Sequence, residues 1–231
     1  MSVLKDFFFP RTCAVCGKLE EELCVDCEKE LSISAQICPM CEQESIMGWT
    51  HEKCKRDLGM DGLIVLFEYG DPNVRAVVDT IKYDFNKDLV ARLFENVSIE
   101  TGVVFDYLVP VPLHFYRQNW RGFNQAEEIG RVLGEKTGVP CLNALKRVKN
   151  TKQQALMKSR EERVENIRDA FSIRTLELKE SRTQGRESKS LKGKMVLLVD
   201  DVFTTGSNMK ECCKVLKQAG VAVVWGFALG H

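Results

Sequence analysis

A chain of 231 residues with 44% hydrophobic side chains suits one domain of ordinary size plus a small appendage, with enough apolar material for a core. Lysine plus arginine number 33 and aspartate plus glutamate also 33, so no global charge draws the chain to nucleic acid or acidic membrane. No apolar run approaches the roughly 18 residues of a bilayer crossing, and the opening MSVLKDFFFP is too short and too acidic for a signal peptide, so a cytoplasmic protein without membrane insertion is expected.

Residues 1–60 are built on cysteine. Seven of the chain's ten cysteines fall between positions 13 and 54, six of them as the CxxC pairs CAVC, CVDC and CPMC, and HEKC at 51–54 closes the series. In a reducing compartment this pattern means metal. Cys13, Cys16, Cys24 and Cys27 have the spacing of a compact structural zinc site, and Cys38, Cys41, His51 and Cys54 would form a second with one imidazole in place of a thiolate. An interleaved arrangement, with alternate pairs sharing a metal, is also compatible with the spacing. The connectors are polar, so zinc in place of a core is expected to hold this stretch, and chelation to unfold it while the rest of the chain stays intact. With seven Lys plus Arg against eleven Asp plus Glu, it suits a protein partner better than DNA.

From residue 61 strand and helix patterns alternate. GLIVLFEY (62–69) reads as a strand, 72–83 and 87–97 as helices, YLVPVP (107–112) as a second strand, and 124–138 as an amphipathic helix closed by glycine. Residues 146–194 are basic and weakly patterned, a plausible lid for an anionic ligand and the better candidate for single-stranded DNA. The pattern resumes with strand 195–199, helix 207–220 and strand 221–229. The expected fold is α/β, a parallel sheet with flanking helices over 61–231, preceded by a zinc-binding module over 1–60.

The junction VLLVDDVFTTGS (196–207) carries the chemistry. A buried parallel strand reads as a continuous aliphatic run, and ligands in such sheets bind beyond its carboxyl end. Thr204, Thr205, Gly206 and Ser207 opening a helix make an anion cradle from N–H groups and hydroxyls, with glycine allowing close approach. Asp200 and Asp201 beside a phosphate would repel it unless the ligand also brings hydroxyls or a cation, which points to a sugar phosphate. It is no Walker A loop, for the lysine is missing.

VLLVDDVFTTGSN resembles the phosphoribosyl pyrophosphate signature of type I phosphoribosyltransferases. Together with PVPLHFYRQNWRGFNQAEEIG (110–130), IKY (81–83), QQALMKSREERVENIRDAF (153–171) and the cysteine-rich start, the chain resembles the ComF family of competent bacteria over nearly its whole length. The resemblance implies a pyrophosphate-side loop over 112–125 with Arg117, Arg121 and Asn124, and a hood over 150–168 with Gln154, Arg160, Arg163 and Asn166 facing inward. It implies Mg²⁺ with the phosphoribosyl ligand, a role in DNA uptake, and a helicase-like ATPase as partner. Chemistry at ribose C1 passes through an oxocarbenium-like state that needs positioned charge rather than a nucleophile. No catalytic residue is therefore assigned, His114 being as well suited to a loop hydrogen bond, and transfer to an acceptor stands as the alternative to binding alone.

Overall fold

The structure, a computed structural model, describes residues 11–84, 87–95, 101–113, 122–149, 159–174 and 190–231. In chain order the elements are α1 (Val25–Lys29), β1 (Gly62–Phe67), α2 (Pro72–Asp84), α3 (Lys87–Phe94), β2 (Tyr107–Pro110), α4 (Gln125–Thr137), β3 (Leu145–Arg147), α5 (Arg160–Ile167), β4 (Phe171–Ile173), β5 (Met195–Val202), α6 (Ser207–Gln218) and β6 (Val223–Gly230). Among the described residues, no helix is long and apolar enough to cross a membrane.

Four strands form one parallel sheet in the order β1-β6-β5-β2, and β3 pairs antiparallel with β4. Strand alternation sends Leu197, Val199, Phe227 and Leu229 into one layer with α2, α3 and α4, and Val196, Leu198, Val224 and Ala228 into the other with α6. Because both faces of the central strands are covered, their side chains read as unbroken aliphatic runs.

Local signals explain the helix ends. Asn124 caps α4 by accepting from the Ala126 N–H at 3.2 Å, and Gly138 closes it in the left-handed region at φ 74°. Pro72 opens α2, and the Asp71 carboxylate before it accepts from Asn73 N–H at 2.8 Å and from the Ser32 hydroxyl at 2.6 Å.

That Ser32 contact belongs to a longer seam. Residues 32–36 run along β1, where the Gln36 side chain donates to the Val65 carbonyl and accepts from its N–H, and Ser34 N–H donates to Leu66. Trp49 bridges to Gly62 and meets the fully buried Trp225 edge-on at 4.7 Å. An open β1 would expose unpaired backbone groups, so the cysteine-rich stretch acts as the cover of that sheet edge.

Three expectations are corrected. Residues 11–60 do bury apolar side chains, since Leu23, Cys27 and Leu31 lie in the same cluster as Ile64, Phe67 and Val74 of the sheet layer. The basic stretch 146–194 is not featureless: it contains the end of β3, all of α5 and β4, elements of three to eight residues too short to show a period. Strand β5 runs past its aliphatic residues through Asp200 and Asp201 to Val202.

Candidate functional site

The strand extension matters because it fixes the two carboxylates on adjacent β positions instead of in a free turn. Each aspartate accepts from the next residue's backbone, Asp200 Oδ1 from Asp201 N–H at 3.0 Å and Asp201 Oδ1 from Val202 N–H at 2.7 Å. Burial first, and the Asp201 carboxylate second, push the Asp200 carboxyl well above the usual aspartate range, against the pull of Lys82 and Arg147. Lys82 Nζ lies 4.0 Å from Asp201 Oδ2 and donates to the Tyr69 hydroxyl at 3.3 Å. Burial opposes the charge on Lys82, but Asp201, Tyr69 and Asp79 outweigh it and hold the ammonium above its ordinary value.

Beyond β5 the chain turns through Phe203 to Gly206, which sits at φ 65° and is itself the N-cap of α6. Ser207 makes no side-chain cap; its hydroxyl pairs with that of Thr205 at 2.7 Å. Gly206 is required twice over, by its φ and because a Cβ there would lie 2.2 Å from the buried Phe203 ring. Thr204 is exposed, Thr205 half-buried, and a small hollow of about 20 Å³ lies against Asp200, Thr204, Gly206 and Ser207. Because a helix leaves its first N–H groups without intrahelical acceptors, the start of α6 adds backbone donors to these hydroxyls. Carboxylates, hydroxyls, N–H donors and one ammonium thus converge at the carboxyl edge of the sheet.

A larger cleft of about 370 Å³ lies off the end of β2, with Pro112, Asn124, Asn143, Lys146, Arg147 and Arg174 in its wall. Asn124 spends its carboxamide on backbone, accepting from Ala126 N–H and donating to the Val111 carbonyl, so it fixes the exit of the 112–125 loop instead of offering a free donor. Arg117, Arg121, His114 and Gln154 lie outside the described residues. Arg160, Arg163 and Asn166 fall on α5, the side chains of the first two lying outside the described set. That segment is docked on α6, where Asp169 N–H donates to Glu211 and Lys214 pairs with Asp169 at 3.7 Å.

Two residues escaped sequence reasoning. Lys82 sits in IKY, and helical periodicity says which face it occupies but not which strand it meets. Arg147 was submerged in a long basic stretch; nothing in its neighbours marks it as a charge that acts on Asp200.

The cysteines settle into two separate clusters and exclude interleaving. Cys13, Cys16, Cys24 and Cys27 form one, Cys38, Cys41, His51 and Cys54 the other, with all ligand atoms in each within 4.8 Å. The 3.8 Å between Cys16 and Cys24 sulfurs matches the edge of a tetrahedron with metal–sulfur bonds of about 2.3 Å. In the second cluster His51 Nδ1 lies 3.4 Å from Cys41 Sγ, while Nε2 is 3.1 Å from the Glu44 carbonyl. That carbonyl accepts from Nε2–H and leaves Nδ1 as the metal-facing nitrogen. Burial opposes ionisation of Cys13, yet backbone N–H groups of Cys16, Cys24 and Val15 bring it down to about 6. Hydrogen bonding by Cys24 and then burial push Cys27 up, so the set accommodates several thiolates only around a cation. Both clusters fit structural zinc.

Comparison with known proteins agrees with both halves of this geometry. Residues 4–56 match the double zinc ribbon domain and residues 85–228 the phosphoribosyl transferase domain. The chain is 28% identical to Competence protein F of Haemophilus influenzae, over 96% of this chain and 98% of that one. It is 30% identical to Competence protein ComFC of Streptococcus pneumoniae, over 92% and 82%, and 25% identical to ComFC of Bacillus subtilis, over 89% and 82%.

Proposed function

The chain belongs to the ComF family of phosphoribosyltransferase-domain proteins, and on that premise we propose that residues 61–231 bind phosphoribosyl pyrophosphate or a related ribose phosphate, as a cytoplasmic accessory of DNA uptake in competence. The observation that carries this reading is the end of β5, where Asp200 and Asp201 stand directly before the Thr204–Ser207 turn with Lys82 beside Asp201. Ribose hydroxyls donate to the two carboxylates, and the 5-phosphate accepts from the turn's hydroxyls and N–H groups. Lys82 sets a positive charge 4.0 Å from the Asp201 carboxylate, and the hydroxyls of a bound ribose solvate the Asp200 carboxylate, whose charge burial otherwise disfavours. The pyrophosphate half extends toward the cleft with Arg147 and Arg174, with Arg117 and Arg121 as further donors and the 150–168 segment as its cover. Mg²⁺ would accompany it mainly on ligand and water oxygens, which the carboxylate pair suits as acceptors of metal-bound water. Residues 1–60, the zinc-binding unit, are acidic and suit a protein partner, in this reading a helicase-like ATPase.

Calorimetric titration with phosphoribosyl pyrophosphate, and with ribose 5-phosphate, tests the assignment. Asp200→Asn with Asp201→Asn should abolish binding in a protein that still melts cooperatively; unchanged affinity in that folded variant removes the ribose reading.

The size and polarity of the cleft beside the ribose seat favour one second reading, transfer of the ribose to an acceptor. Pyrophosphate release measured with Mg²⁺, with and without single-stranded DNA and a set of bases, separates the two. Release that depends on an acceptor means a transferase, and binding without turnover means a binding module.

A further inference from the structure

One lysine of α6 touches both the loop after β5 and the second zinc ribbon. Lys210 Nζ donates to the Thr205 carbonyl at 2.8 Å, and its ammonium lies over the Phe203 ring, 5.4 Å from the centroid. It therefore grips the loop at its rim and at its floor, since Phe203 is the buried ring against which Gly206 is pressed. In the other direction the same nitrogen lies 3.4 Å from Glu42 Oε1.

Glu42 directly follows the metal-facing Cys41, and its N–H donates to the Cys38 carbonyl at 2.8 Å, closing the turn that brings those two sulfurs together. Gly17 makes the same bond to Cys13 in the first ribbon, at φ 73°. Glu42 adopts φ 60°, a conformation in which a side chain is strained and glycine is not. The contact with Lys210 gives that position a use that glycine lacks. Both partners are mostly shielded, with side-chain exposures of 24% and 23%, so solvent screens the pair less than a surface ion pair.

We infer that Glu42 and Lys210 couple metal binding at Cys38, Cys41, His51 and Cys54 to the conformation of the 203–207 loop, so that zinc there and ribose phosphate at the loop strengthen each other's binding. Lys210 is a positioning residue in this scheme. With the metal in place the Cys38–Cys41 turn is fixed and Glu42 faces the ammonium; without it the turn loses its anchor, and Lys210 loses the counter-charge that holds it across the loop. Thermodynamic linkage makes the effect reciprocal. The ligand half rests on the ribose-phosphate reading; the link between ribbon and loop does not.

The test uses the full zinc-loaded chain and ribose 5-phosphate as probe, following zinc transfer to a chromophoric chelator. Saturating probe should slow the release of one of the two zinc ions about five-fold or more. Glu42→Gln and Lys210→Met should abolish that protection while retaining both metals, and Lys210→Arg should restore it in part. Equal protection in Glu42→Gln and the parent overturns the coupling. Should the parent bind no ribose 5-phosphate, the ribose reading fails, and hydrogen exchange at the amides of 203–207 decides the link by itself. Zinc removal should then accelerate exchange in the parent and add little in Glu42→Gln or Lys210→Met, where it is already fast. Exchange insensitive to zinc in the parent sinks the inference.

Discussion

In the proposed ribose-phosphate site, Asp200 serves binding at a cost to the fold, since burial disfavours its charge. Its carboxyl is held well above the usual range, by burial and then by Asp201, so the folded protein retains a proton that an unfolded aspartate releases near pH 4. Stability therefore falls as pH rises from that value toward the raised folded one, and the penalty is in full force only above it. Asp200→Asn removes the penalty. It should raise stability by about 0.5–2 kcal/mol at neutral pH and flatten the fall of stability with pH, while ribose-phosphate binding is lost. Urea denaturation across pH 5 to 9 measures the first effect and calorimetry the second, and a less stable Asn variant would count against the buried-carboxyl account. Gly206 answers to geometry instead. Gly206→Ala combines a left-handed φ with a Cβ 2.2 Å from Phe203 Cζ, so it should cost about 1–3 kcal/mol and displace the ring that Lys210 covers. A fully stable variant with unchanged ribose 5-phosphate affinity would show that the loop is not built around that contact. The acids and the turn were legible because their chemistry is contiguous in sequence, whereas Lys82 meets Asp201, and the charge of Arg147 acts on Asp200, only through tertiary packing.

The parallel strands and their helices were readable from unbroken aliphatic runs and helical periodicity, and the caps at Asn124 and Gly138 marked one helix to within a residue. What escaped was β3, α5 and β4, whose residues draw their order from contact with α6 and from each other rather than from any pattern of their own. The relation of the ribbons to the sheet was likewise invisible, because Gln36, Trp49 and Leu31 look like ordinary connector residues until β1 lies beside them. This seam changes what metal removal should do. The ribbons share a buried cluster with α2 and cover the β1 edge, so chelation should lower the melting temperature of the whole protein rather than unfold residues 1–60 alone. Metal analysis should find two zinc ions per chain, and calorimetry with and without chelator should show one cooperative transition moving down. A low-temperature transition that appears separately, with the sheet's own unchanged, would restore the picture of an independent module.

At the scale of the whole molecule, a chain with no net charge separates its charges in space. The ribbons are acidic, whereas the cleft off β2 carries Lys146, Arg147 and Arg174 in its wall, with Glu127 partly engaged by Asn143 at 2.6 Å. If single-stranded DNA is handled by this protein, its phosphates belong along that basic side and not on the ribbons. The prediction is that Lys146→Glu with Arg174→Glu weakens single-stranded DNA binding more than Lys18→Glu with Lys53→Glu in the ribbons. Each phosphate that the protein no longer neutralises should make the slope of log affinity against log salt shallower by about 0.7, so the cleft pair should change it by roughly 1.4 and the ribbon pair by nearly nothing. Lys149, which donates to the Arg168 carbonyl at 2.8 Å, extends the same side and serves as a third position; Lys152 and Lys158, further cations of the 146–194 stretch expected to suit single-stranded DNA, lie outside the described residues. The cleft wall at Pro110 pairs with Val199, next to the proposed ribose seat, so ribose 5-phosphate affinity measured in parallel separates a damaged pocket from a damaged DNA path. Phe171 lies beneath Arg147 at 5.2 Å and is only 4% exposed, so it offers no open face for base stacking, and binding there should be electrostatic, modest and tolerant of sequence. Should both the affinity and the salt slope survive the cleft substitutions, DNA follows another path and the basic side serves the ribose phosphate alone.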